Sequence, residues 1–256
     1  MVRKVRMKGL QHRCVLVTGS NRGIGKEIVK QFAEHGVKKI YAHARKETTS
    51  FVSECEQLQG QYNVEIQPVF FDALDSEAMK AAMMQLRKEK AVIDVLVNNI
   101  GIAGSIRLFS MTTVDQMKET FDVNFFSQIQ LTQLVSRFMM QRKSGCIINV
   151  SSCAGLDGDT GMIDYVSSKS AWIGATKRLA IELGDYGIRV NTVAPSLTET
   201  DMGNQMSEKL KQQTLDRCIM KRIGRPEEIA SVILFLASDM ASFVNGQVIR
   251  VDGGMI

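Results

Sequence analysis

Seven short apolar runs alternate with six helical patterns along the 256 residues, and that alternation leaves the chain few folds to choose from. The runs at 13–18, 39–44, 64–70, 94–98, 146–151, 189–194 and 248–251 read as buried strands. Between them, 25–35, 49–59, 76–90, 113–142, 165–185 and 226–237 carry helical patterns. A strand, a helix and a second strand in series form a right-handed crossover, so the whole series builds a parallel sheet with helices on both faces. No Pro- or Gly-rich linker and no repeat divides the chain. The fold class predicted is α/β, one doubly wound seven-stranded parallel sheet over 1–256, with 1–12 a short basic extension. Ligands of such sheets lie at the carboxyl ends of the strands, where Gly19, Asp72, Asn98, Ser151 and Pro195 fall.

The first strand runs into Thr18-Gly19-Ser20-Asn21-Arg22-Gly23-Ile24-Gly25, and the first helix follows. Glycines let backbone approach a pyrophosphate, and a helix N-terminus offers free N–H groups and partial positive charge. The spacing is G-x-x-x-G-x-G rather than the commoner G-x-G-x-x-G. A plain tight turn is the alternative, but the place after the first strand favours a dinucleotide site of Rossmann type.

Composition closes off other classes. Hydrophobic residues make up 45% of the chain, enough for a sizeable core, and no run reaches membrane-spanning length. The net charge of +5 is too small to argue for nucleic acid, and part of it sits in a solvated start of Arg3, Lys4, Arg6, Lys8 and Arg13. That start lacks the apolar segment of a secretory signal. Five cysteines, an odd number with no C-x-x-C, suggest neither disulfides nor zinc and fit a reducing cytoplasm. Cys14 and Cys146 read as small core residues. His12, His35 and His43 have no metal-ligand spacing, so no metal is expected, and His35 before Gly36 reads as a helix end.

Tyr165 and Lys169, four apart on a helix, share one face. Ser151-Ser152 ends the fifth strand just upstream, and Asn124 lies in the preceding long helix. A hydroxyl, a phenol, an ammonium and an amide can thus meet above the glycine turn. With these residues the chain resembles a classical short-chain dehydrogenase/reductase over essentially its whole length. The motifs that carry the resemblance are Thr18-Gly19-x-x-x-Gly23-Ile24-Gly25, Asn98-Asn99-x-Gly101, Asn124, Ser152, Tyr165-x-x-x-Lys169 and Val251-Asp252-Gly253-Gly254, in that order. Arg222-Ile223-Gly224-Arg225-Pro226-Glu227-Glu228 is similar to the matching segment of bacterial 3-oxoacyl-[acyl-carrier-protein] reductases.

The resemblance implies a nicotinamide cofactor, a homotetramer and a catalytic tetrad of Asn124, Ser152, Tyr165 and Lys169. It also implies cofactor contacts from Gly19, Asn21, Arg22, Gly23, Ile24, Gly25, Asn98, Gly101, Tyr165, Lys169, Pro195, Thr198 and Thr200. The chemistry agrees with these roles. A carbonyl under reduction develops negative charge on oxygen and then needs a proton, which Tyr165 can supply. A free phenol has a pKa of about 10, and the Lys169 ammonium and an oxidised nicotinamide are expected to lower it. Ser152 would donate to the carbonyl oxygen, Lys169 to the nicotinamide ribose, and Asn124 would hold a relay water. A strand-end cap for Ser152 and a plain polar helix residue for Asn124 are the structural alternatives.

Cofactor choice reads from charge. The second strand ends Ala42-His43-Ala44-Arg45-Lys46, with no acid to accept from a ribose 2′-OH. Arg22 and Arg45 are expected to clamp a 2′-phosphate, and Asp72 to accept from the adenine amino group, so the cofactor read is NADP(H). Two positions depart from the family pattern: Ile100 stands where Ala is usual, and Ser196, without the freedom of Gly, follows Pro195.

The reaction expected is NADPH-dependent reduction of a ketone, foremost a 3-oxoacyl thioester on an acyl carrier protein. A general carbonyl reductase or alcohol dehydrogenase on a free small molecule is the alternative, and a non-catalytic NADP-binding regulator a third. Ile102, Ile106, Leu108, Leu156, Met162, Ile163, Met202 and Met206 are expected to wall an apolar pocket. Residues 196–220 read as a substrate lid or an ordinary surface helix. Arg142 and Lys143 would dock an acidic carrier. Asp157, Asp159 and Asp164, at the pocket mouth, and Asp185, where carrier-dependent relatives tend to be basic, would oppose one. The 165–185 helix is apolar or small nearly all round, which supports the oligomer.

Overall fold

The computed structural model describes residues 7–104, 106–204 and 206–256, so Arg3, Lys4 and Arg6 of the basic start lie outside the described residues. The predicted sheet is present: β1 (Cys14–Val17), β2 (Lys39–Ala44), β3 (Glu65–Phe70), β4 (Val95–Asn98), β5 (Gly145–Val150), β6 (Ile188–Pro195) and β7 (Val248–Val251). Their order is 3-2-1-4-5-6-7 and every pair is parallel. The order reverses between β1 and β4, which opens the crevice where ligands of this fold bind. Pro68 sits in β3, an edge strand, where its missing N–H costs no ladder bond to a central neighbour.

Strand alternation splits the core into two layers. Val15 and Val17 of β1 face α1 (Gly23–Glu34), α2 (Thr49–Tyr62) and α10 (Pro226–Ala237) through Ile28, Phe32, Phe51 and Ile233. Cys14 and Leu16 face α3 (Ser76–Lys88), α5 (Ser127–Arg142) and α7 (Ile163–Gly184) through Met79, Leu131 and Leu183. Cys14 and Cys146 are core residues, as their strand positions predict, and all five cysteines are free and buried. Among the described residues no helix is long and apolar enough to cross a membrane.

The expected 113–142 helix is three pieces: α4 (Val114–Phe121), a π-helical turn (Asp122–Phe126) and α5. Side chains take over what the regular ladder loses there. Gln128 Nε2 and Trp172 Nε1 both donate to the Asn124 carbonyl at 2.8 Å, and Ser127 Oγ donates to the Val123 carbonyl. The 196–220 region is helical too, as α8 (Asp201–Asn204) and α9 (Glu208–Arg217), and a short α6 (Ala154–Asp157) follows β5. Elsewhere the predicted ends move by three residues or fewer, and 39–44, 226–237 and 248–251 keep theirs.

Candidate active site

The glycine turn is shaped for a phosphate. Gly19 and Gly23 have φ of +65° and +54°, where a side chain would be strained. Arg22, the N-cap of α1, makes no side-chain capping bond, so the helix presents its first N–H groups uncapped. Asn99 fixes the turn from the next strand, donating from Nδ2 to the carbonyls of Thr18 at 2.9 Å and Gly19 at 3.2 Å. Thr18 Oγ1 accepts from the N–H of Asn99 at 2.8 Å and of Ile100 at 3.2 Å. Ile100 fits beside Gly19, its carbonyl accepting from Gln128 Nε2.

Across the crevice the tetrad gathers. Lys169 is buried under Gly101 and its Nζ donates to the Val150 carbonyl at 2.9 Å. Burial pulls its ammonium down to about 8. Nζ lies 5.9 Å from the centre of the Tyr165 ring. Burial raises the Tyr165 phenol above its ordinary value, the hydrogen bond to Ser152 opposes that rise, and the Asp159 carboxylate adds to it. Against the lowering expected from Lys169, the phenol is shifted upward, with burial the largest cause and Ser152 the group that opposes it. Ser152 Oγ also accepts from the Ala154 N–H at 3.2 Å, which fixes it at the start of α6 beside Tyr165.

Asn124 comes inward through the π-helical turn. Its Oδ1 accepts from the Ile102 N–H at 2.8 Å, and its Nδ2 donates to the Ile102 carbonyl and to Ser168 Oγ, both at 3.0 Å. The two bonds on its carbonyl use both of that oxygen's lone pairs, so only Oδ1 has acceptor capacity left for a relay water.

The remaining expected positions spread around the same crevice. Asn21 and Arg22 are exposed, Ile24 is half-buried and Gly25 buried. Asn98 is buried and bonded to Thr132 and Asn149, so it braces the sheet. Arg45 Nε lies 3.9 Å from Asp72 Oδ2, and Asp72 Oδ1 accepts from the Leu74 N–H. Pro195 ends β6 and accepts from the Cys153 N–H. Ser196 has no positive φ and bonds through its N–H to Val251, so glycine's freedom is not needed there. Thr198 is buried, Thr200 Oγ1 accepts from the Gly203 N–H, and a Cβ on Gly23 would touch the Thr200 methyl at 3.3 Å, which sets residues 198–200 beside the glycine turn.

Two charge arguments from the sequence fail. Arg142 and Lys143 precede β5 and stand at the opposite end of that strand from Ser152, and Arg142 bonds Asp94 at 3.2 Å. They do not flank the pocket mouth of their own chain. The three acids are each engaged. Asp157 takes the paired nitrogens of Arg250 at 2.7 and 2.6 Å, Asp159 pairs with Arg217 at 3.3 Å, and buried Asp164 accepts from Thr120 Oγ1 and the Tyr165 N–H. Of the expected walls, Ile102, Ile106, Leu108, Leu156 and Met202 are exposed, while Met162, Ile163 and Met206 are half-buried.

Sequence reasoning missed His43, Asn99, Gln128, Trp172 and the Arg250 clasp. Only Asn99 left a signal, as the second residue of its motif; the rest act through contacts between distant segments.

A family model described as enoyl-(acyl carrier protein) reductase matches residues 19–256. The chain is 39% identical over 248 residues to the 3-oxoacyl-[acyl-carrier-protein] reductase FabG of Thermotoga maritima, covering 96% of this chain and 99% of that one. It is also similar to a 3-oxoacyl-[acyl-carrier protein] reductase from Brucella melitensis solved with bound NAD. There the TM-score is 0.86 and the identity 31%, over 100% of this chain and 97% of that one. A gluconate 5-dehydrogenase from Burkholderia cenocepacia, solved with NADP and tartrate, gives a TM-score of 0.89 at 28% identity, over 97% and 95% of the two chains.

Proposed function

The chain belongs to the short-chain dehydrogenase/reductase family, oxidoreductases that act on hydroxyl and keto groups with a nicotinamide cofactor, and we propose that it reduces a ketone with NADPH, foremost a 3-oxoacyl thioester. One arrangement carries the proposal: the Tyr165 phenol bonded to Ser152, above buried Lys169, across the crevice from the uncapped start of α1. The residues fit a dinucleotide, since the turn offers free N–H groups and two positive-φ glycines leave room for a phosphate. Reduced nicotinamide, when bound, supplies hydride to the carbonyl carbon.

The chain's own residues do the rest. Asn21, Arg22, Gly23 and Ile24 would cradle the pyrophosphate, with Gly101, Pro195, Thr198 and Thr200 around the nicotinamide half and Asn98 bracing the strands beneath. Ser152 donates to the substrate oxygen and holds it against Tyr165. Burial raises the Tyr165 phenol above its ordinary value, which suits an acid that must release its proton only to a developing alkoxide. Lys169 fixes the ribose and favours the phenolate left behind, and Asn124, through Oδ1, returns a proton by water. Arg22 and Arg45 face no carboxylate of the usual NAD type at the end of β2, which supports a 2′-phosphate. Relatives solved with NAD and with NADP both exist, so charge is the argument here.

The substrate reading rests on the similarity to 3-oxoacyl-[acyl-carrier-protein] reductases and on the apolar rim of Ile102, Ile106, Leu156 and Met202. Pairing of Asp157 and Asp159 removes the repulsion an acidic carrier would meet. A free small-molecule ketone is the second reading, favoured by the position of Arg142 and Lys143 far from their own chain's pocket. Several copies assemble in this proposal, a tetramer as the family resemblance implies, and the five free cysteines suit a reducing cytoplasm. The test compares acetoacetyl groups on carrier protein and on a short thiol, reading NADPH oxidation at low salt. A gain of tenfold or more in kcat/KM from the carrier supports the carrier substrate; equal values assign the free ketone.

A further inference from the structure

One imidazole ties together three strand ends that the sequence leaves unconnected. His43, at the end of β2, is buried. Its Nδ1 accepts from the N–H of Gly19 at 3.2 Å, the first glycine of the turn. Its Nε2 bonds the Phe71 carbonyl at 2.9 Å, one residue before Asp72. Its own carbonyl accepts from the Ser20 N–H at 2.8 Å. The ring also lies against Phe71, with centroids 3.9 Å apart.

The partners dictate the protonation state. A carbonyl only accepts, so Nε2 must carry the proton; an amide N–H only donates, so Nδ1 must be bare. A second proton would set an N–H against the N–H of Gly19. Burial opposes it as well, pulling the imidazole down to about 4 against the weaker pull of the Asp72 carboxylate. A neutral, singly protonated ring therefore spans the gap between the glycine turn and the segment leading to Asp72. With the Gly19 and Ser20 N–H groups both taken by His43, the N–H groups from Asn21 onward are the ones left to face a pyrophosphate.

We infer that His43 is a positioning residue for the dinucleotide, fixing the distance and register between the phosphate turn and the adenine side of the crevice. This rests on the nicotinamide-cofactor reading. It adds a determinant outside the glycine motif, and one common to NADPH and NADH, since it touches neither the 2′-position nor the nicotinamide.

The test uses two variants and two ligands. His43→Leu removes both ring bonds. His43→Gln restores an acceptor and a donor at nearly the imidazole's spacing. Calorimetry with ADP and with NADPH should show His43→Leu binding both at least tenfold more weakly, with the NADPH-to-NADH preference unchanged. His43→Gln should recover to within threefold of the parent. The KM for ketone at saturating cofactor should move less than twofold, which a general loosening of the fold would not allow. ADP binding within twofold of the parent in His43→Leu, or equal defects in both variants, overturns the inference while the cofactor reading stands. A parent chain that binds no dinucleotide overturns both. Should His43→Leu fail to fold, nitrogen NMR of the parent decides. With only three histidines to assign, a neutral Nε2–H ring at pH 7 that does not titrate above pH 5 supports the inference, and a cationic or Nδ1–H ring overturns it.

Discussion

Tyr165 and Lys169 are held in protonation states that burial disfavours or exaggerates, and each gives a measurable consequence. Burial penalises the Tyr165 phenolate and raises the phenol above its ordinary value. Tyr165→Phe removes that proton and nothing the dinucleotide needs, so turnover should fall at least a hundredfold while the Kd for NADPH stays within threefold. Retention of most of kcat would show that another group is the acid. Lys169 titrates near 8 in the fold against about 10.5 when unfolded, so the folded state disfavours its cation. At pH 7 both states are charged and the full penalty applies, roughly 3 kcal/mol; it fades as pH rises from 8 to 10.5. Lys169→Met should therefore melt above the parent at pH 7, lose that advantage by pH 10.5, and be inactive. Arg45 is exposed beside Asp72 and free to swing to a phosphate. A charge-assisted bond contributes about 1.5–3 kcal/mol, so Arg45→Ala should raise the NADPH KM at least tenfold and leave that for NADH unchanged. Equal KM values for NADH and NADPH in the parent would remove the case for NADP(H).

The elements around the site are joined by clasps that cross the chain. Arg250, in β7, grips Asp157 through two parallel bonds and Asp252 through Nε at 2.6 Å, tying α6 and the catalytic segment to the last strand. The residues after Asp252 continue the strap. Gly253 and Gly254 accept from the N–H groups of Met220 and Ile219, and Cys218 Sγ donates to the Asp252 carbonyl. The carboxyl end of the 196–220 region is thus fastened to the residues that follow β7. Asp157→Asn breaks the two-pronged pair. The pair is partly exposed, so the stability loss should stay near 1 kcal/mol or less, a melting shift of about 2–4 °C. The ketone KM should rise several-fold with dinucleotide Kd unchanged; the reverse split would place the clasp on the cofactor side.

At the scale of the molecule, several large apolar side chains are exposed around α4 and α7. Phe109, Met111, Val114 and Phe126 are exposed around α4 and the π-helical turn, and Ile181 is 69% exposed on α7. Contiguous exposed apolar surface marks association sites. The α7 helix is less apolar outside than its sequence suggests, because Lys177 and Arg178 share its outer face while Ala180 and Leu183 point inward. Sedimentation at micromolar concentration should give several times the 28.5 kDa of one chain, about four times for the tetramer implied by resemblance. A monomer would leave these side chains without a cover and overturn the proposal. Phe126→Glu should then lower the assembly state, since a charge buried between copies has no partner.

Local patterns determined the sheet, its helices and the places of Ser152, Tyr165 and Lys169. Alternating apolar runs specify βαβ units wherever they occur, and Gly19, Gly23, Ser152, Tyr165 and Lys169 act at spacings fixed by a turn, a strand end or one helix turn. Tertiary structure decided everything that depends on which distant groups meet. It broke the 113–142 helix because Gln128 and Trp172 can feed a carbonyl the ladder leaves free. It put Arg142 at the far end of β5 from Ser152, paired Asp157 and Asp159 with arginines, and reversed the direction in which Tyr165 shifts. It also turned His43, a residue with no motif, into the bond between the phosphate turn and β3. Desolvation and long-range hydrogen bonds have no period along a chain, so they become legible only when the chain is closed on itself.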